Sequence, residues 1–146
     1  MQIGVETSKA VDQRRVFVVD DDDIIRTALQ FMLQDEIETH EMGAIEDAYA
    51  KTETTDWLKP DLIILGVSLI KAKGAGLIGD IRAAYPKVAI LITYAKGEEE
   101  PALEGVKAGA NAALAKPLTL EAVRKKVDTI LGRGDGETIV QLTAFS

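Results

Sequence analysis

The sequence predicts an α/β fold, a parallel sheet with helices packed on both of its faces. Two observations predict it: short runs that are apolar at every position, such as Val16 to Val19 and Leu62 to Leu65, and segments of helical spacing that alternate with them. A strand that is apolar on both sides has to be covered on both sides. The helices that connect parallel strands provide that cover.

The elements follow in order. Met1 to Gln13 is polar and mixed, without a strand or helix period, and is expected to form an arm ahead of a domain at residues 14–131. Val16 to Val19 reads as a buried strand running into Asp20, Asp21, Asp22 and Asp23, after which Ile24, Ile25, Ala28, Leu29, Met32 and Leu33 recur at helical spacing. The free amides of a first helical turn accept such acidic residues. Ile37 to Met42 reads as a second strand, with His40 in a structural role, and Ile45 to Leu58 as a helix stopped by Pro60, with Trp57 packing near its end. Asp61 to Leu65 is a third strand. A loop containing glycine and lysines then leads to a helix marked by Leu77, Ile78 and Ile81, which Pro86 stops. Val88 to Thr93 is the fourth strand, Glu98 to Ala108 a helix that tolerates Pro101 in its first turn, and Ala112 to Ala115 a short fifth strand. Thr119 caps a last helix to Leu131, before a glycine-rich linker and tail at residues 132–146.

Five strand–helix units in this length imply a flavodoxin-like doubly wound sheet in the order 2-1-3-4-5 with about five helices. Ligand chemistry in that architecture sits at the carboxyl ends of the strands, beside strand 1. The residues there are Asp20, Asp21, Gly66, Thr93, Tyr94 and Lys116.

Composition excludes several classes. The chain has 146 residues, 47% of them hydrophobic and 28% charged, an ordinary balance for one globular domain. No cysteine is present, which removes disulfides, thiolate nucleophiles and cysteine metal sites. A net charge of −7 gives no basic footprint for nucleic acid or anionic lipid, the Arg124, Lys125, Lys126 cluster aside. No apolar stretch approaches the roughly 20 residues of a membrane helix, and no signal peptide is visible, so a cytoplasmic location is expected. The lone His40 has no second base or nucleophile near it, and Gly74-Ala75-Gly76 lacks the order of a phosphate-binding loop.

Val18-Val19-Asp20-Asp21-Asp22, Pro60-Asp61-Leu62-Ile63-Ile64-Leu65, Gly109-Ala110 and Lys116-Pro117 resemble, in order and spacing, the receiver domains of two-component response regulators. The resemblance covers about residues 14 to 131. It implies that Asp20 and Asp21 match an acidic pair that holds magnesium, that Lys116 matches a lysine that neutralises the transferred phosphoryl group, and that Gly66 occupies the position of the aspartate that accepts it. Glycine has no side chain with which to attack or to ligate.

Other positions depart from the family as well. The aromatic switch position three residues before the lysine is Ala113, and the usual proline after the acceptor is Ile70, so the loop from Val67 to Lys73 is expected to take its own path. Counting back without gaps from Gly109 and Lys116 places Tyr94 at the threonine/serine position of strand 4, whereas Thr93 needs one inserted residue. The Tyr94 ring is then expected to fill volume vacated at Gly66 and Ala113, with its hydroxyl reaching the polar pocket. Lys116 is expected to pair with Asp20 or Asp21 without a metal, and Lys71 and Lys73 either help to neutralise the same cluster or are solvated loop lysines.

These readings imply a non-enzymatic pseudo-receiver that acts by protein–protein contact. The resemblance points to the face built from the fourth predicted helix, the fifth strand and the fifth helix, meeting a signalling protein or a second copy of the chain. No direct contact with nucleic acid or membrane is expected. No cofactor is expected beyond weakly held magnesium at Asp20 and Asp21, a vestigial site. The alternative is a phosphoryl-accepting regulator that uses another acceptor, such as Asp22, Asp61 or Ser68.

Overall fold

A computed structural model describes residues 12–132, so most of the expected arm, and the tail beyond Gly132, lie outside the described residues. Five strands form one parallel sheet in the order β2-β1-β3-β4-β5. They are β1 (Asp12–Val19), β2 (Ile37–Met42), β3 (Leu62–Gly66), β4 (Ala89–Tyr94) and β5 (Ala112–Ala115). The described helices are α1 (Asp23–Leu33), α2 (Ile45–Thr54), α3 (Val67–Lys73), α4 (Gly76–Ala84), α5 (Glu99–Lys107) and α6 (Leu120–Leu131), with a 3-10 turn at Asp56–Leu58.

Side chains alternate across a strand, and the core divides accordingly into two clusters, one on each face of the sheet. Phe17, Val19, Ile63, Leu65, Ile90 and Ile92 point to one face, where they meet residues of α2, α3, α4 and α5. Val16, Val18, Leu62, Ile64 and Leu91 point to the other, where Leu29 and Leu33 of α1 and Val123 and Val127 of α6 cover them. Each such side chain contributes roughly 1.5 to 3 kcal/mol by leaving water, on the strands and on the helices that cover them alike.

Local chemistry sets the boundaries. The Asp22 carboxylate caps α1 by accepting from the Ile24 and Ile25 amides, the Thr119 side chain caps α6 through the Ala122 amide, and Gly132 closes α6 in the left-handed region at φ 72°. The helix expected from Ile45 to Leu58 breaks after Thr54, and the chain continues as a short 3-10 turn. Trp57 in that turn is 69% exposed and stacks over the Arg15 guanidinium, with 5.2 Å to the ring centroid, so it is not the packing residue the sequence suggested. Ile24, assigned to the apolar stripe of α1, is 79% exposed at the start of that helix.

The largest departure is α3. The segment expected to be a loop is a helix that begins at Val67, directly after the last residue of β3. Val67, Leu69 and Ile70 are buried, while Lys71 and Lys73 are exposed. α3 packs against α5 at Gly105, where an added Cβ would lie 2.5 Å from Ile92 Cδ1 and 2.9 Å from Ile70 Cδ1. A side chain at 105 would thus force the ends of two buried isoleucines to shift.

In an open helix a Gly→Ala change gains up to about 1 kcal/mol from helix propensity. At Gly105 the overpacking of two buried isoleucines is expected to outweigh that gain, so that Gly105→Ala lowers urea-unfolding stability by about 1 kcal/mol. A variant more stable than the parent would show that the isoleucines yield freely.

Candidate functional site

The carboxyl ends of β1, β3, β4 and β5 bring Asp20, Gly66, Thr93 and Lys116 together. Residue alternation puts all four on the α1/α6 face, following Val18, Ile64, Leu91 and Leu114 in their strands. Thr93 is the cross-strand partner of Gly66 and is completely buried. Tyr94 pairs with Ala115, points to the opposite face, and is half-buried against the core cluster that Ala113 also joins. The ungapped count is therefore corrected: Thr93 holds the position facing the pocket. The Tyr94 hydroxyl does not reach that pocket, because its side chain leaves the sheet on the other side.

The Asp20 carboxylate lies over Gly66. A Cβ built at Gly66 would fall 2.5 Å from Asp20 Cγ, 2.5 Å from Oδ2 and 2.8 Å from Oδ1. The Gly66 backbone, at φ −69° and ψ 136°, is extended and open to any residue. A side chain at 66 is opposed by the Asp20 carboxylate, which would have to shift, and not by the backbone conformation. Asp20 is 2% exposed; its Oδ1 accepts from the Asp22 amide at 2.9 Å, while Oδ2 is buried without a hydrogen-bond partner. The Thr93 hydroxyl is likewise buried and unpartnered.

Burial pushes the Asp20 carboxyl above its ordinary value; Asp21 and Asp22 push the same way, while the Asp22 amide and the charge of Lys116 oppose it. Lys116 acts at longer range. Among the described residues no ion pair joins it to Asp20 or Asp21, which corrects the expected pairing, and its bond to Pro117 is cis. Lys71 and Lys73 do not neutralise the acidic turn either. Lys71 pairs with Glu98 at 3.2 Å and Lys73 with Glu46 at 2.8 Å.

The other carboxylates of the turn have their own partners. Asp21 is exposed and accepts from the Ser68 hydroxyl at 2.7 Å, Asp22 caps α1, and Asp23 pairs with Arg26 at 2.6 Å. Arg26 escaped the sequence reading, yet its guanidinium also donates to the Asp20 carbonyl at 2.9 Å and pairs with Glu41 of β2. Only its spacing of three from Asp23 hinted at a contact. A hard divalent cation needs oxygen ligands that converge. Here Asp20 turns inward over Gly66, Asp21 turns to Ser68 and Gly66 adds no side-chain ligand, so the two carboxylates of the expected pair do not converge on one point. Among the described residues no group of three His, Cys, Asp or Glu side chains is placed to hold a metal, and no helix is long and apolar enough to cross a membrane.

Comparison with known proteins agrees with the fold and the order of these elements. The family model for the response regulator receiver domain matches residues 16–128. The chain is similar to the alkaline phosphatase synthesis transcriptional regulatory protein PhoP of Bacillus subtilis, at 34% identity over 125 residues, covering 84% of this chain and 50% of that protein. It thus spans about half the length of that relative. Among solved structures it resembles a putative response regulator from Chloroflexus aurantiacus, at 28% identity and TM-score 0.71, covering 84% of this chain and all of that one. The chemotaxis protein CheY4 of Vibrio cholerae matches at 26% identity and TM-score 0.69, over 82% of this chain and 99% of that one.

The fit of Asp20 over Gly66 is testable by a double-mutant cycle. Gly66→Ala is expected to lower stability by about 1 to 3 kcal/mol, and the same change in an Asp20→Ala background is expected to be close to neutral. Equal effects in the two backgrounds would place the Asp20 carboxylate elsewhere.

The charge itself is tested by Asp20→Asn, which keeps an acceptor for the Asp22 amide. Because the folded carboxyl titrates above 3.8, its ordinary value, proton binding favours the folded state. The parent therefore loses stability as pH rises from about that value through the raised one. Asp20→Asn is expected to raise the urea midpoint at neutral pH, with the gain shrinking as pH falls toward 4. A gain that grew on acidification would contradict a buried, destabilised carboxylate.

Proposed function

The chain belongs to the response regulator receiver domain family of two-component signalling, and on that premise we propose that it is a pseudo-receiver, which signals by binding a protein partner without accepting a phosphoryl group. The observation that carries this reading is the Asp20 carboxylate seated over Gly66. The place of an acceptor holds no side chain, and the space above it is taken by a carboxyl group with almost no exposure. Asp20 is itself a poor substitute nucleophile, since a carboxyl group with almost no exposure is not reachable by a donor.

The alternative acceptors are less well placed. Asp61 stands before β3, at the opposite end of the sheet, where its carboxylate accepts from the Arg15 amide at 2.8 Å. Asp22 is committed to capping α1, and the Ser68 hydroxyl to Asp21. No divalent cation is required in this reading, because no transferred charge has to be neutralised.

The chain is also similar, at 33% identity over 104 residues and 70% of its length, to a protein-glutamate methylesterase/protein-glutamine glutaminase of Anaeromyxobacter dehalogenans, of which it covers 29%. A part shared by a transcriptional regulator and a methylesterase is better read as a signalling module than as the source of either activity. A partner, or a second copy of this chain, would meet the face of α5, β5 and α6. β5 is a sheet edge there, and Leu103 on α5 is 52% exposed.

Incubation with acetyl phosphate and magnesium, followed by intact-mass measurement, tests the reading. No stoichiometric adduct is expected. A gain of about 80 Da that hydroxylamine removes, as it removes acyl phosphates, would overturn it.

A further inference from the structure

The helix α5 is held at three points by elements that sequence reading does not connect. At its start Glu98 uses both carboxylate oxygens: Oε1 accepts from the Ala95 amide at 2.8 Å and Oε2 from Lys71 Nζ of α3 at 3.2 Å. The Ala95 bond, and then Lys71, hold the Glu98 carboxyl below its ordinary value. In its middle, Gly105 receives Ile70 of α3 and Ile92 of β4 so closely that a Cβ there would displace the ends of both. Beyond its end, the Arg82 guanidinium of α4 donates to the Gly109 carbonyl at 3.1 and 2.8 Å, and also to the Val88 carbonyl and the Asn111 side chain. Asn111 in turn accepts from the Ile90 amide of β4.

We propose that α3 and α4 clamp α5 at these points, so that the α5, β5 and α6 face is presented in one fixed arrangement, whatever the state of the pocket. The argument is geometric. A surface ion pair alone fixes little, but here it sits at one end of a helix whose middle is interdigitated and whose other end is held by a multidentate arginine. Shifting α5 along or away from the sheet would empty the notch at Gly105 and break the Arg82 bonds together. Close-packed contacts of this kind resist gradual deformation. The clamp goes beyond the absence of an acceptor, because it depends on Lys71, Ile70, Gly105 and Arg82, none of which lies at the pocket.

Hydrogen exchange and relaxation dispersion on the unmodified chain, with no phosphoryl donor, test it. The amides of residues 95–108 are expected to be protected like those of α4 and to show no microsecond–millisecond exchange. Ile70→Ala, which empties the notch, is expected to speed exchange in 95–108 about tenfold or more, and Glu98→Gln, which keeps an acceptor for Ala95 but drops the charge facing Lys71, about twofold to threefold, while β1 and β3 keep their protection. The swapped pair Lys71→Glu with Glu98→Lys is expected to recover part of the loss. A second conformation of 95–108 in the parent, or variants whose exchange rises evenly throughout the domain, would overturn the clamp. A chain that takes a phosphoryl group yet keeps a rigid α5 contradicts only the pseudo-receiver reading; one that takes none but has a mobile α5 contradicts only the clamp.

Discussion

The carboxylate of Asp20 over Gly66 is the constraint around which the upper end of the sheet is arranged. A buried carboxyl group with one amide donor and a second oxygen without a partner costs free energy that an open position would not. It is sustained because its backbone is fixed from several sides. The Asp20 amide bonds to the Met42 carbonyl at the end of β2, and the Asp20 carbonyl takes a bond from Arg26, which also holds Asp23 and Glu41. The end of β1, the end of β2 and the first turn of α1 therefore form one rigid corner. From that corner the Asp20 side chain has the space over Gly66 to enter.

The fold was legible because it rests on the strongest signal a sequence carries. Runs such as Phe17 to Val19 and Leu62 to Leu65 are apolar at every position, which demands helices on both faces and so a parallel sheet. The same property hid the facing of β4. A strand buried on both sides has no polar alternation to say which residue points where, so Thr93 and Tyr94 were told apart by counting across the loop before α5. That loop carries a turn at Gly97, φ 94°, and the bond between Glu98 and the Ala95 amide, neither of which a residue count reports. Cross-strand register, which pairs Gly66 with Thr93, settles the facing and cannot be read from one strand alone.

The contacts missed at the site share a physical cause. Lys71 with Glu98 and Lys73 with Glu46 are each 27 residues apart, and Ser68 with Asp21 is 47 apart, so nothing local announces them. Lysines near an acidic turn looked like its counter-charges, but the turn of α3 carries them away from it. α3 itself, at seven residues, is too short for a helical period to separate it from a loop. Its apolar residues Val67, Leu69 and Ile70 were visible in the sequence; that they enter the core as a helix depends on α5 offering a glycine to receive Ile70.

Gly66 links these features. β3 ends at Gly66 and α3 starts at Val67, so a single residue with extended backbone angles makes the change from strand to helix. With no loop between the two elements, the direction of a Cβ at 66 is fixed by both, and it points at the Asp20 carboxylate. The missing side chain at 66 and the short helix after it are thus parts of one arrangement. Removing the side chain makes room for Asp20, and the direct entry into α3 carries Ile70 and Lys71 to α5.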